Sequence, residues 1–592
     1  MKRQKQIFLS LAFILAFAAY FVAPPSTQPG VYHIFLTFES PVTIGATEVI
    51  NFTVTFSEEK ATPLELHTFN YSGYYVNVYY SEYYVLSTAS SIDFKVSLFW
   101  NNGTEIEVSA ESISITIKDA TGETVTVVRP SGKEGNMYTF SYHPLIHSNE
   151  ALAILILIAL LWFTEAVPLA ASALLVPVLA VVFNILDPKT ALSPFFHPVV
   201  ALIFGGLMLG QALHRHQIDK RIALMILSKT KGSSSMLILV MMYTTAFLSF
   251  WISNTAAAAI MLPIGLAVLT KIGARSSESN YSKVIVLGIA YSATIGGIAT
   301  IIGTPPNPLA AGFLSELLGV QITFVDWLLY GLPYTLIFIP VAWKMLFLVF
   351  KPEEGLEKEF EVLERHSREE LEKLGPLTWK QKGVIGVFLV VVALWFTQKM
   401  PDFIVQTTGF KGHGISSGIV ALIGVGGLYI LGLLEEEDIK KVNWPAIMII
   451  GGGIGLGEVM IRSGLSNWIA SQLSILQGTN ILVLNFLVGA LSLIITMFAS
   501  NTAAAAILVP IAIPLAISLG IDPILLTMTI AIAASLDFAL PVGTPPSTLA
   551  YSTGLIRVKE MIKVGLVLDI ISLLLLTFGV IWIWYFLGLI TL

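Results

Sequence analysis

The chain has 592 residues, 55% hydrophobic and 12% charged, with a net charge of −6, no cysteine and a mean hydropathy of +0.78. A soluble globular chain carries about 25% charged residues, so this is an integral membrane protein, and its acidic balance argues against a nucleic-acid partner. Without cysteine there is no disulfide, no thiolate nucleophile and no zinc–thiolate site, and the redox compartment cannot be read.

The N-terminus reads MKRQK, followed by an apolar run from Ile7 to Val22. The positive flank places this end in the cytoplasm. The run is longer than most signal h-regions, so we read residues 1–29 as a retained first helix rather than a cleaved leader. Residues 30–145 differ in kind. Segments such as "EVINFTVTF", "YYVNVYY" and "SISITIKD" alternate apolar and polar residues, and turn clusters such as "NNGTE" and "DATGE" separate them. Regular short strands of this kind predict an antiparallel β-sandwich. It follows a helix that starts inside, so it is expected outside the cell, inserted after the first helix. Sequons at Asn51, Asn70 and Asn102 fit that exposure.

From Ala151 the chain is apolar in long continuous runs, which suits helices rather than the alternating strands of a barrel. Membrane spans are expected at 151–164, 168–185, 199–213, 237–272, 284–318 and 325–350. A second series runs through 384–397, 416–434, 447–461, 481–519, 521–552 and 562–587. Between the series lies a charged connector, Lys351 to Lys382, with seven Lys or Arg. It reads as a solvated, helical cytoplasmic linker between the halves. The organisation is therefore a first membrane half (146–350), the linker (351–382) and a second half (383–592).

The two halves repeat. "SNTAAAAI" spans Ser253 to Ile260 and recurs at Ser500 to Ile507, an offset of 500 − 253 = 247. "FGGLMLGQ" (204–211) resembles "GGGIGLGE" (451–458), and "IIGTPPNPLAAG" (301–312) resembles "PVGTPPSTLAYSTG" (541–554). Each half thus carries an SNT segment and then a helix interrupted by GTPP. One polar triplet could be interhelical hydrogen bonding, and one GTPP could be a simple kink. Both motifs, twice and in the same order, point instead to a transporter site built from inverted repeats, although the residues do not by themselves fix the relative orientation of the halves.

The chemistry of the motifs agrees. Non-helical backbone at bilayer depth is tolerated where protein buries it or it lines a wet cavity. SNT would be the tip of a re-entrant hairpin, with Ser or Asn capping the alanine helix that follows. That helix N-terminus presents unpaired N–H groups and partial positive charge, which binds anions. Two tips meeting near the midplane would hold one anion from both sides. The prolines of GTPP have no amide to donate, which frees carbonyls such as those of Gly303 and Gly543 for a hard cation such as sodium. Ser249 and Thr496 each lie one helical turn before an SNT serine and can add a hydroxyl. Neither motif holds Lys or Arg, so a co-bound cation would favour anion binding.

At these residues the chain resembles the divalent anion:sodium symporter (DASS) family, whose signature is two SNT hairpins with proline-rich broken helices. "WFTEAVP" (162–168) also looks like the family's entry helices. The resemblance implies a scaffold domain and a transport domain, a homodimer, and elevator-type alternating access in the plasma membrane. It implies a substrate site of Ser253, Asn254, Thr255, Thr304 and Pro305 from one half and Ser500, Asn501, Thr502, Thr544 and Pro545 from the other. One sodium site would use Ser249, Ser253, Asn254 and Gly303; the other would use Thr496, Ala499, Asn501 and Gly543. It favours a C4-dicarboxylate such as succinate or malate, with sulfate or citrate as rivals.

Three features depart from the family pattern or stand outside it. The β-domain is not part of the common core. Ser547 stands where the first half has Asn307. Asp537 lies in an apolar span, where a carboxylate marks a functional site by default. It could add a cation ligand, carry a proton for proton-coupled or exchange transport, or pair with a nearby donor. Glu165 reads as structural or interfacial, and Glu458 is expected near a helix end. A membrane-anchored receptor would need no internal symmetry, and no paired-Asp or His–Ser arrangement recurs for an intramembrane hydrolase.

Overall fold

The computed structural model of the chain describes residues 2–22, the strands between 30 and 142, and residues 147–591 apart from 230–233, 354–358, 401, 477 and 542. The first helix, Lys2–Val22, is followed by two sheets. One has five strands in the order 83–85, 47–57, 30–39, 113–118 and 124–128. The other runs 132–134, 137–142, 92–100, 74–80 and 65–70, with 105–106 pairing beside 92–100. Pairing is antiparallel except between 47–57 and 83–85. Burial follows the period of two that the sequence shows, with Ile34 and Leu36, Val76 and Val78, and Phe94, Val96 and Leu98 buried; Ser97 is buried as well.

The rest is helical. Among the described residues, eight helices are long and apolar enough to cross a membrane, and shorter apolar helices accompany them. The order of elements occurs twice. Ser148–Thr164, Leu169–Val182, Pro198–Arg215, Ile218–Leu227, Ser234–Ser249, Asn254–Lys271, Asn280–Gly297, Pro306–Leu318 and Phe324–Phe350 form the first series. Trp379–Phe396, Ser417–Ile430, Trp444–Arg462, Leu465–Gln472, Ile481–Phe498, Asn501–Ser518, Pro523–Ala533, Pro545–Ser552 and a last helical stretch from Val558 to Phe586 form the second. The longest apolar runs are broken where the motifs lie: at 250–253 and 499–500, and again at 298–305 and 534–544.

In a bilayer the lipid is as apolar as leucine, so helices associate through close packing of small residues. The first helix buries Ala12 and Ala16, one turn apart, with Leu157 and Leu161 of the helix that follows the sheets. Lys5 Nζ donates to the Glu165 carbonyl at 3.0 Å, and Glu165 itself closes that helix in a left-handed conformation. In the interior, Asn280–Gly297 is buried along its whole length from Tyr281 onward. A Cβ at Gly296 would overlap the Ala246 backbone, so this position admits glycine only.

The linker is more than a solvated tether. Its helix, Glu359–Lys373, buries Leu363 and Ser367. Lys220 Nζ meets Glu370 at 3.2 Å, and Arg221 donates to the Leu374 carbonyl at 3.0 Å. An amphipathic face that the charge content conceals holds it to the first half. The Glu370 carboxyl is pushed down to about 2 by the Lys373 hydrogen bond and then by that of Lys220. A depressed carboxylate stabilises docking above its ordinary value, and the contribution is lost as pH falls toward about 2. Glu370→Gln should therefore raise hydrogen exchange of 359–373 at neutral pH by up to about fivefold, as expected for a partly exposed ion pair. At about pH 2 and below the variant and the parent should converge; an unchanged exchange rate at neutral pH would show that the apolar face alone holds the helix.

Candidate functional site: two hairpin tips and two broken helices

Each SNT segment begins a helix as the serine's chemistry demands. Ser253 is extended (ψ 146°), and its Oγ accepts from the Ala256 amide at 3.2 Å. Ser500 is extended (ψ 148°) and accepts from Ala503 at 3.2 Å. The amides of Asn254, Thr255, Asn501 and Thr502 come before the first intrahelical bond and have no intrahelical acceptor. The GTPP motifs start two further helices, at Pro306 and Pro545. Thr544 caps the second, with Oγ1 accepting from Ser547 N at 3.4 Å and donating to Ser547 Oγ at 3.0 Å.

These four helix N-termini line one cavity of about 480 Å³. All ten residues expected to touch substrate are on its wall: Ser253, Asn254, Thr255, Thr304 and Pro305 with Ser500, Asn501, Thr502, Thr544 and Pro545. The partial charges of the N-termini favour an anion there. Sequence reasoning missed Gln211, His214, Lys441 and Asn443, which also line the cavity. Lys441 belongs to the run "EEEDIKK", whose charge pattern gives no sign that the chain returns to the site. Lys441 thus brings a cation to the cavity wall although none lies in the motifs, and its exposed ammonium pairs with Asp438 at 3.4 Å.

Behind each tip is a cluster of oxygens. Ser249 Oγ lies 2.7 Å from Asn254 Oδ1 and 2.7 Å from the Ala293 carbonyl. Thr496 Oγ1 lies 2.9 Å from Asn501 Oδ1 and 2.7 Å from the Ala534 carbonyl. A hydroxyl has one proton and cannot fully satisfy two acceptors at once. Convergent hydroxyl, amide and carbonyl oxygens of this kind suit a hard monovalent cation. The carbonyls of Ala293 and Ala534 were not legible in the sequence, because an alanine carries no chemical mark. Gly303 and Gly543 sit on the cavity wall beside the clusters, and Ala499 is the extended residue that ends the preceding helix.

The two breaks differ. In the first half, Asn307 Nδ2 donates to the Gly297 carbonyl at 3.0 Å and to Thr300 O at 2.8 Å, which occupies carbonyls that the break would otherwise leave bare. Ser547 cannot reach so far and bonds Thr544 instead. Asp537 is not within a helix; it lies in the second break, fully buried. Glu458 is one turn from its helix end and pairs with Arg462 at 2.7 Å.

A bundle of broken apolar helices whose N-termini converge on one cavity defines a multi-pass membrane transporter. Residues 145–590 match the family described as sodium:sulfate symporter transmembrane region, so the chain belongs to that family, the divalent anion:sodium symporters that the motifs resemble. An uncharacterized transporter of Haemophilus influenzae is 37% identical over 430 residues, covering 72% of this chain and 89% of that one. The sodium-dependent dicarboxylate transporter SdcS of Staphylococcus saprophyticus is 32% identical over 440 residues, covering 71% and 83%. The solved YdaH transporter of Alcanivorax borkumensis superposes with a TM-score of 0.46 at 14% identity over 68% of this chain and 89% of that one, a likeness too loose to carry an argument.

Proposed function

We propose that this chain couples inward sodium to uptake of a small divalent anion, a C4-dicarboxylate such as succinate or malate. The observation that carries the reading is the meeting of two SNT tips and two GTPP helix starts on one cavity, with an oxygen cluster behind each tip. The anion would accept from the uncapped amides and from Asn254, Thr255, Asn501 and Thr502. Sodium would enter the clusters of Ser249, Asn254 and Ala293 and of Thr496, Asn501 and Ala534. The cation charge beside the anion lowers the cost of bringing either from water into a low-dielectric site, which is the physical basis of coupling. The similarity to SdcS supports a dicarboxylate over sulfate or citrate.

The family resemblance supports inverted repeats, a homodimer and an elevator movement of the two-tip domain against a scaffold. Trp251, beside the first tip, stacks on Phe324 at 6.0 Å and meets Phe388 edge-on at 5.0 Å, an aromatic contact that such a movement would have to slide past. In this reading the first helix is retained, the two sheets form an external sandwich domain (30–145), and the linker (351–382) joins the halves 146–350 and 383–592 on the cytoplasmic side.

The test is uptake of labelled succinate into proteoliposomes. Uptake should require an inward sodium gradient and should be competed by malate more than by sulfate or citrate. Uptake indifferent to sodium but driven by a proton gradient or by internal dicarboxylate would replace symport with proton coupling or exchange.

A further inference from the structure

We infer that Asp537 contributes a carboxylate to the second cation site, where the matching position of the first half is Gly297, so that the two sodium sites differ by one negative charge. The inference rests on the sodium-coupled reading and deepens it.

The correspondence follows from the GTPP motifs. Gly297 stands six residues before Gly303 (303 − 297 = 6), and Asp537 stands six before Gly543 (543 − 537 = 6). In the first half this position touches the site: a Cβ at Gly297 would overlap Asn254 Oδ1, and a Cβ at Gly303 would overlap the Gly297 carbonyl. In the second half the helix ends sooner, at Ala533, and the break at 534–544 is longer than that at 298–305. That slack gives a side chain room where the first half admits none. The Asp537 carboxylate lies directly on Gly543, whose own Cβ would overlap Oδ2, and Gly543 lines the cavity with Asn501. Three residues before Asp537, the Ala534 carbonyl belongs to the Thr496 cluster.

The surroundings ask for a cation. Asp537 is fully buried, and neither of its oxygens has a hydrogen-bond partner among the described residues. The Ala539 and Leu540 amides face it without reaching hydrogen-bond geometry. Asp569 is close by and also buried; its Oδ1 accepts from Phe538 N at 3.0 Å, and its Oδ2 has no partner. Tyr291, also near both carboxylates, gives its hydroxyl to the Phe538 carbonyl at 3.0 Å. No ion pair to Asp537 or Asp569 forms among the described residues. A buried, unpaired carboxylate is strongly unfavourable and is relieved by a bound cation or by a proton, and the contact with Gly543 on the cavity wall favours the cation. The first site has an amide-bonded break and neutral oxygens; the second has a carboxylate free to bind sodium.

The experiment compares the purified full chain with Asp537→Asn and Asp537→Gly, the latter restoring the first-half residue. Sodium-dependent thermal stabilisation without substrate and the sodium dependence of succinate uptake are both measured. Each variant should need about tenfold or more sodium for half-maximal effect, because ligand charge sets cation affinity at oxygen sites. A sodium requirement within twofold of the parent overturns the inference, and so does an unchanged sodium requirement with altered pH dependence of uptake, which would make Asp537 a proton carrier. If neither variant folds, Ser249→Ala and Thr496→Ala decide. A smaller sodium penalty for Thr496→Ala supports a charged second site, and equal penalties overturn it. A parent chain with no sodium response at all would sink the sodium-coupled reading itself, a result distinct from all of these.

Discussion

Succinate uptake should fall by at least about 100-fold when Asn254 and Asn501 are both changed to alanine, with the protein still assembled. Each asparagine stands at a hairpin tip, on the cavity wall and on an oxygen cluster at once. Hydrogen bonds to charged groups are worth about 1.5–3 kcal/mol each, so losing two removes about 3 kcal/mol or more of binding, which is at least about 100-fold. Because each amide would serve both anion and cation, the KM for succinate and the sodium requirement should rise together. The single variants should each show part of both effects. If the double variant keeps near-parent uptake, the two-tip site is wrong. If only the succinate KM changes, the asparagines hold anion alone and the cation lies elsewhere.

The second large effect is expected from Gly297→Ala. The added methyl would overlap Asn254 Oδ1, in a segment where the Gly303 backbone also presses on Gly297. Overpacking a close-fitted interior costs about 1–3 kcal/mol. Here the least constrained neighbour is the Asn254 side chain, so the substitution should turn it out of the cluster with Ser249 and Ala293. Sodium-dependent uptake should drop by about 10- to 100-fold, tracking an energy of that size. Gly386→Ala is the control: nothing lies within 4 Å of a Cβ there, and uptake should match the parent. An active Gly297→Ala protein with parent-like sodium dependence would show that the Asn254 amide does not need this placement.

The membrane class, the internal duplication and ten residues of the cavity wall were legible in the sequence, and the reason is chemical. Polar triplets and paired prolines inside apolar runs can persist only where backbone is buried or wet, so SNT and GTPP declare themselves without any knowledge of the fold. The β-strands were legible for a similar reason, since alternation with period two leaves a written trace. The linker helix was misread as solvated because a single buried leucine, Leu363, weighs little against a charge-rich composition, and only its docking to Lys220 and Arg221 reveals the face.

What the tertiary structure alone decided are the groups whose identity carries no signal. The Ala293 and Ala534 carbonyls become candidate cation ligands because the last turn of one helix and the C-terminal end of another pack against Ser249 and Thr496. Lys441 reaches the cavity from a loop that reads as surface. The sequence could mark Asp537 as an unusual carboxylate in an apolar run, but not say what it faces. Its burial, its unpartnered oxygens and its contact with Gly543 follow from where the second helix breaks. Side-chain chemistry is written residue by residue, whereas backbone ligands and juxtapositions across some 40 residues or more of chain exist only once packing has brought them together.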